Sequence, residues 1–173
     1  MITVGRVHTQ HPWSAARNII ARNALTAGTV STAWGTANKA FHVPIVIEEL
    51  VAFNKFYTLN GATASGNIDI GVYDENNSLV KSTGSTAQSG TNVLQEISVT
   101  EFVLKPGFYR LALALSSATG TIFCMSLVNA DNSRPYDLTE EASAFPLPST
   151  ATPVLHTSGF FMPMIGIIRS NLA

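Results

Sequence analysis

The clearest strand pattern in this chain is Gly66-Asn67-Ile68-Asp69-Ile70-Gly71-Val72-Tyr73-Asp74, which is followed by a polar break and then by Leu79-Val80-Lys81-Ser82. Apolar Ile68, Ile70 and Val72 alternate with Asp69, Gly71 and Tyr73, which is the two-residue period of a β-strand. We therefore expect the first set to face a core and the second set to face outward. The whole stretch is typical of a β-hairpin in a sandwich.

Similar strand patterns lie on both sides of this hairpin. They are the extended stretch from Val43 to Tyr57, Leu94 to Val99, Phe108 to Leu115 after the turn at Pro106-Gly107, residues 121–128, and residues 160–169. About seven or eight strands joined by turns predict an all-β protein, an antiparallel β-sandwich of jelly-roll-like or immunoglobulin-like type. In the strand after Pro106-Gly107, we expect Tyr109, Leu111, Leu113 and Leu115 to form the core face.

The chain divides into two parts by composition. Residues 1–42 lack sustained alternation and predict an extended N-terminal arm, with a short helix over residues 15–22 that Ser14 would cap. Residues 43–173 predict the β-sandwich domain. Within it, residues 129–158 carry four prolines and predict a long Pro-rich loop, which is too long for a simple hairpin connection.

Composition narrows the classes of partner. Only 12% of the 173 residues are charged, against about 25% in ordinary soluble proteins. Because an unpaired charge is costly to bury, such a surface is typical of one that lies against other subunits. An extracellular lectin-like domain is the alternative. A net charge of -1 without a Lys/Arg cluster argues against nucleic acid as a partner.

The sequence shows no targeting signal and contains one cysteine. The first residues lack the pattern of a signal peptide, and no apolar run reaches the length of a membrane span. We therefore expect no membrane partner and a product that stays in the cytoplasm where it is made, unless it leaves inside an assembled particle. The single cysteine, Cys124, excludes an intrachain disulfide, and its apolar neighbours predict a buried, inert thiol.

Three segments resemble a known family. Residues 64–74, residues 82–86 and residues 104–113 are similar to a β-sandwich module of tailed-bacteriophage structural proteins, in which a strand of the form GN(I/V)D(I/V)G(I/V)YD precedes a G.Y.LAL strand. The resemblance covers about residues 43–128. It implies a virion structural protein of the head or tail that assembles with itself, most simply as a homotrimer, and with other capsid or tail proteins. Many carbohydrate-binding modules have the same pattern of strand residues, so similarity of fold does not establish the function.

No residue pattern predicts catalysis, a metal site or a cofactor. His8, His11, His42 and His156 are far apart except for the first two, and a zinc site needs further ligands. The Asp74-Glu75-Asn76-Asn77 run offers oxygens to calcium, but the same residue types are those that a β-turn requires. Asp69 has no second carboxylate at a fixed spacing, and no nucleophile elbow is present. A hydrolase is therefore the weakest hypothesis.

The aromatic residues supply the remaining candidates. For a structural protein, the interface candidates are Trp13 and Trp34 in the arm and Phe160 and Phe161 in the last strand, with packing inside the same chain as the alternative. For a receptor- or glycan-binding module, the rings on which a sugar would stack are Trp34, Tyr57 and Tyr73.

Overall fold

The structure is a computed structural model that describes residues 19–21, 29–126, 137–156 and 161–170. These residues form fourteen strands and no helix. The strands are β1 (Ile19–Ala21), β2 (Thr29–Ala33), β3 (Lys39–Ile47), β4 (Val51–Leu59), β5 (Asn67–Tyr73), β6 (Leu79–Ser82), β7 (Thr86–Ala87), β8 (Leu94–Leu104), β9 (Gly107–Leu115), β10 (Thr121–Ser126), β11 (Thr139–Glu141), β12 (Val154–Leu155), β13 (Phe161–Pro163) and β14 (Ile165–Arg169). The prediction of an all-β protein is confirmed.

Three antiparallel sheets make two layers. The first layer is one sheet in the order β12-β11-β3-β9-β5-β6, with β7 beside β5, and the second layer combines the sheets β1-β14-β4-β8 and β13-β10-β2. A bridge between Asn60 and Ile122 joins the two sheets of the second layer. The chain crosses between layers from β3 to β4 to β5 and again from β8 to β9 to β10. The sheets therefore form a jelly-roll-like sandwich.

The main core lies between the layers. Ile68, Ile70 and Val72 of β5 face it, as the alternation predicts. The side chains that meet them include Leu111, Leu113 and Leu115 of β9, Phe53 and Phe56 of β4, Ile122 of β10, and Ile165 and Ile167 of β14. Tyr109 packs at the edge of this core and is only partly buried.

The outward face of β5 differs from its prediction. Asp69, Gly71 and Tyr73 do alternate with the core residues, yet they are buried as well. The reason is that β5 lies within its sheet between β9 and β6, and a second, smaller apolar cluster covers the outer face of that sheet. The same cluster buries Ala112 and Ala114 of β9.

The N-terminal part also requires a correction. Residues 19–21, which fall inside the predicted helix, form strand β1 and pair with β14, whereas the other residues of that helix, and residues 1–18 and 22–28 of the predicted arm, lie outside the described residues. The predicted start of the sandwich at Val43 falls inside β3, whose Lys39–His42 half pairs with β9. Trp34 lies in the main core. The body of the sandwich thus includes β2, Trp34 and the whole of β3.

Two other segments differ in detail. The predicted final strand is two strands, because β13 pairs with β10 whereas β14 pairs with β4. The predicted Pro-rich loop contains β11, which pairs with β3, and β12, which pairs with β11. Residues 142–153, between β11 and β12, are irregular and are called the strap below.

Candidate functional site

The strap lies across the outer face of the first layer. Its Ala144, Leu147 and Ala151 pack against the small-residue face, defined here as Ala40, Gly71, Ala112 and Ala114. The approach is close: a Cβ added to Gly71 would lie 2.8 Å from Leu147 Cδ1. Small side chains on three neighbouring strands therefore make the groove that the strap occupies.

Side chains and neighbouring backbone hold the strap in place. An irregular segment has no ladder of its own, so its buried polar groups need other partners. The Leu147 amide donates to Asp69 Oδ2 at 3.0 Å, and the Thr152 amide donates to Glu141 Oε1 at 3.0 Å. The Tyr73 hydroxyl donates to the Pro148 carbonyl at 2.7 Å. Backbone bonds add Ala144 to Asn38, Ala151 to Asn77 and Leu79 to Ser149.

Beside this strap lies a polar cluster of the buried residues His42, Tyr73, Thr139 and Glu141 together with the partly exposed Arg110. His42 and Thr139 are cross-strand partners, and His42 Nε2 lies 3.5 Å from Glu141 Oε2. The rings of His42 and Tyr73 are 5.4 Å apart. Several buried polar atoms of this cluster have no hydrogen-bond partner within the described residues. They are both ring nitrogens of His42, Glu141 Oε2, Thr139 Oγ1 and Arg110 Nε. Buried polar atoms are rarely left this way.

Burial sets the protonation state of this region. Burial first, and then the charge of Arg110, lower the pKa of His42 to about 4, so the imidazole is neutral at pH 7. The carboxylate at 3.5 Å would favour the charged form, but desolvation outweighs it because the imidazole is completely buried. Burial also raises the pKa of Asp69, although it accepts hydrogen bonds from Leu147 and Thr83. Because His42 is completely buried, a solvent-borne substrate does not reach it in this arrangement.

A second group of ionisable side chains ties β11 and the end of β12 to β3. Glu140 Oε2 lies 3.1 Å from Lys39 Nζ and 2.5 Å from His156 Nδ1. The rings of His156 and Phe41 meet edge to face at 5.2 Å. These contacts are internal to the fold, and the residues that make them are partly or fully buried.

The sequence did not point to either group. In the sequence, His42 and His156 are histidines without a metal-ligand spacing. Their partners, Glu141 for His42 and Glu140 for His156, lie in the predicted Pro-rich loop. In the case of His42, the two members are almost a hundred positions apart, so no local spacing could have shown the contact.

Trp34 belongs to the sandwich itself. Its side chain is 1% exposed, its Nε1 donates to the Lys39 carbonyl at 2.8 Å, and its ring meets Phe41 edge to face at 5.0 Å. This is the packing inside the same chain that the sequence left as the alternative to an interface. Trp13 and Phe160 lie outside the described residues. Phe161 lies in β13, where only its backbone is described.

The residues predicted to stack on a sugar are corrected by their burial. Trp34, Tyr57 and Tyr73 are at most 6% exposed. A stacking platform must present a ring face to solvent, and none of these three does. Tyr57 packs against Gly166 of β14, and Tyr73 lies under the strap.

Of the two positions weighed for a metal, the pair His8 and His11 lies outside the described residues, and the Asp74-Glu75-Asn76-Asn77 run forms a turn. Asp74 Oδ1 accepts hydrogen bonds from the amides of Asn76 and Ser78, both at 2.9 Å, as the turn interpretation predicts. Within the described ranges, no group of three or more His, Cys, Asp or Glu residues is placed to hold a metal ion.

One end of the sandwich exposes large apolar side chains. Val46 and Phe108 are cross-strand partners near the end of β3 and the start of β9, Val103 lies near the end of β8, and Leu50 immediately precedes β4. These four residues are called the apolar end. Their exposed fractions are 50% for Val46, 67% for Leu50, 51% for Val103 and 70% for Phe108. The sequence signal was the failure of Phe108 and Val46 to join the core alternation.

Comparisons with known proteins identify no family for this chain. No protein-family model matches the chain, and no curated protein is significantly similar to it. A helix of the length and apolar character needed to cross a membrane is absent from the described part of the chain.

Proposed function

We propose that this chain is a non-enzymatic structural protein of a tailed-bacteriophage virion, which assembles as a symmetric oligomer on the capsid or tail as a decoration, fibre or tail component. The observation that carries the proposal is the apolar end. Single exposed apolar residues are ordinary, but a group of large ones at one end of a rigid sandwich is typical of a surface that another protein covers.

The surroundings of the apolar end support an interface. Glu48, Glu49 and Lys105 are exposed beside it, so the apolar side chains have a charged rim. Interfaces commonly combine an apolar centre with such a rim. Elsewhere the low proportion of charged residues lets neighbouring copies approach without the burial of unpaired charge.

The sandwich suits a passive mechanical role. The two layers share one hydrophobic core, and the strap covers the outer face of the first layer. In a symmetric particle, each contact needs only modest affinity, because many identical contacts act together. The family resemblance of residues 64–74 and 104–113 gives the proposal its biological setting.

Receptor or glycan binding remains the alternative, without a specific observation in its favour. In the part of the chain that the structure describes, the exposed aromatic ring is Phe108. Its neighbours in the apolar end are aliphatic rather than hydrogen-bonding, and this favours an apolar partner over a sugar.

Mass spectrometry of purified particles tests the location. Particles from cells that carry the gene should contain the chain in a fixed ratio to the major capsid protein, and they should keep it through a density gradient. If the chain is abundant in the lysate but absent from the particles, the virion proposal is wrong.

Light scattering during size-exclusion chromatography tests the surface. We expect an oligomer for the natural chain and a shift toward monomer when Leu50→Ser and Phe108→Ser are combined. Val154→Ser is the matched control, since Val154 is similarly exposed but lies on β12, outside the apolar end. An unchanged oligomer in the double variant would exclude the apolar end as the contact between copies.

A further inference from the structure

The strap closes over a polar part of a sheet face, not only over its small-residue face. Alternation along β3 places His42 on the same face as Ala40, and its cross-strand partner Ala112 packs in the cluster under the strap. His42 is fully buried there. Its two ring nitrogens have no hydrogen-bond partner within the described residues. Burying a neutral imidazole at this position costs far less free energy than burying a charged one.

The charges around His42 act in opposite directions on its protonation. Arg110 of β9 opposes a second cation, whereas Glu141 of β11 lies 3.5 Å away and already accepts two hydrogen bonds from Thr152 through its other oxygen. On β5, Tyr73 faces His42, and Asp69 binds the strap further along. Residues 142–153 themselves contain no Asp, Glu, Lys, Arg or His. The strap therefore brings no counter-charge of its own.

We propose that residues 142–153 form an acid-released strap, which is closed over His42 while the imidazole is neutral and opens when the imidazole is protonated. Opening exposes the imidazole to water, where its charge is solvated, and it uncovers the small-residue face. Opening also breaks two hydrogen bonds that hold the strap, from the Leu147 amide to Asp69 and from the Thr152 amide to Glu141.

The sign of the pH effect follows from linkage. The closed state holds the pKa of His42 at about 4, against 6.5 in an exposed state, so the closed state is favoured above pH 6.5 and loses this advantage as the pH falls toward 4. If opening fully exposes the ring, the opening constant rises about 20-fold between pH 7 and 5 and about 120-fold between pH 7 and 4. The raised pKa of Asp69 acts in the opposite direction, because the closed state then binds a proton more tightly.

Hydrogen exchange followed by mass spectrometry measures the opening. After correction for the intrinsic pH dependence of exchange, the amides of the strap should lose about 20-fold in protection between pH 7 and 5, as the linkage calculation gives. Amides of β9 should keep theirs, because the opening is local. Simultaneous loss in β9 would mean global unfolding and would overturn the proposal.

Substitution isolates the titrating group. His42→Phe keeps a ring of similar size and removes no hydrogen bond that the structure shows, so the strap should stay protected at pH 5. His156→Gln is the control: it removes the other buried, described histidine and should leave the pH dependence intact. Equal loss of protection in His42→Phe and the natural chain contradicts the proposal.

A measurement on the natural chain covers the case in which His42→Phe does not fold. Nuclear magnetic resonance of histidine-labelled protein follows the His42 ring directly, and its protonation should coincide with the loss of strap protection. If the ring becomes protonated while the strap stays closed, with Glu141 as its ion-pair partner, the acid-release mechanism is wrong.

Discussion

The substitution Trp34→Ala separates a core tryptophan from an interface tryptophan. Trp34 is buried, it donates one hydrogen bond to Lys39, and it packs edge to face on Phe41. A buried tryptophan removes about 200 Å² from water, which at about 25 cal/mol per Å² corresponds to about 5 kcal/mol as an upper value. Truncation of such residues to alanine typically costs about 3–5 kcal/mol. We expect the free energy of unfolding to fall by about that amount.

Equilibrium unfolding in urea measures this change. For a chain of this length, about 3–5 kcal/mol corresponds to a fall of about 6–20 °C in the melting temperature. Trp34→Phe should recover much of the loss, because it restores most of the apolar contact but not the hydrogen bond. Val154→Ala is the control at an exposed site and should change the unfolding free energy by less than about 0.5 kcal/mol.

The refuting result is a small effect. If Trp34→Ala lowers the unfolding free energy by less than about 1 kcal/mol, the side chain does not carry the core contacts described above. If it weakens an oligomer while the unfolding of the isolated chain is unchanged, Trp34 is an interface anchor, as the sequence first suggested.

Two further substitutions or reactions test other parts of the fold. Gly71→Ala should destabilise the chain by about 1–3 kcal/mol in urea unfolding, because the new Cβ meets Leu147 Cδ1 at 2.8 Å and the Lys81 carbonyl at 3.0 Å; no loss of stability would mean that the strap does not lie so close. Cys124 is buried and burial raises the pKa of its thiol, so an aromatic disulfide reagent at pH 8 should modify it only after unfolding. Rapid modification of the native chain would contradict its place in β10.

The two faces of β5 show what the alternation of apolar and polar residues can and cannot predict. Alternation in residues 66–74 correctly predicted that Ile68, Ile70 and Val72 face the core. It predicted exposure for Asp69 and Tyr73, which are buried, because alternation reports that a strand has two faces and says nothing of what covers the second. That cover is the strap, more than sixty residues further along the chain.

The N-terminal part shows the same limit. Ala-rich residues after a potential cap at Ser14 favoured a helix, but Ile19–Ala21 pair with β14 near the other end of the chain. A three-residue segment has almost no structure of its own, so the available sheet edge decides its conformation. The sequence leaves open whether Trp34 packs on a neighbouring subunit or inside its own chain, and its place in the main core depends on contacts with β3 and with Gly120 beside β10.

The all-β class, the inner faces of β5 and β9, the turns at Asp74 and Pro106 and the low proportion of charged residues could be predicted, because they follow from composition or from residues that are neighbours in the chain. Three further features depend on the tertiary fold: the burial of three aromatic candidates, the contact between His42 and Glu141, and the exposure of Val46, Leu50, Val103 and Phe108 at the same end of the sandwich. The physical reason is that burial and ionisation depend on groups brought together by strand pairing across long separations, which leave no periodic trace in the sequence.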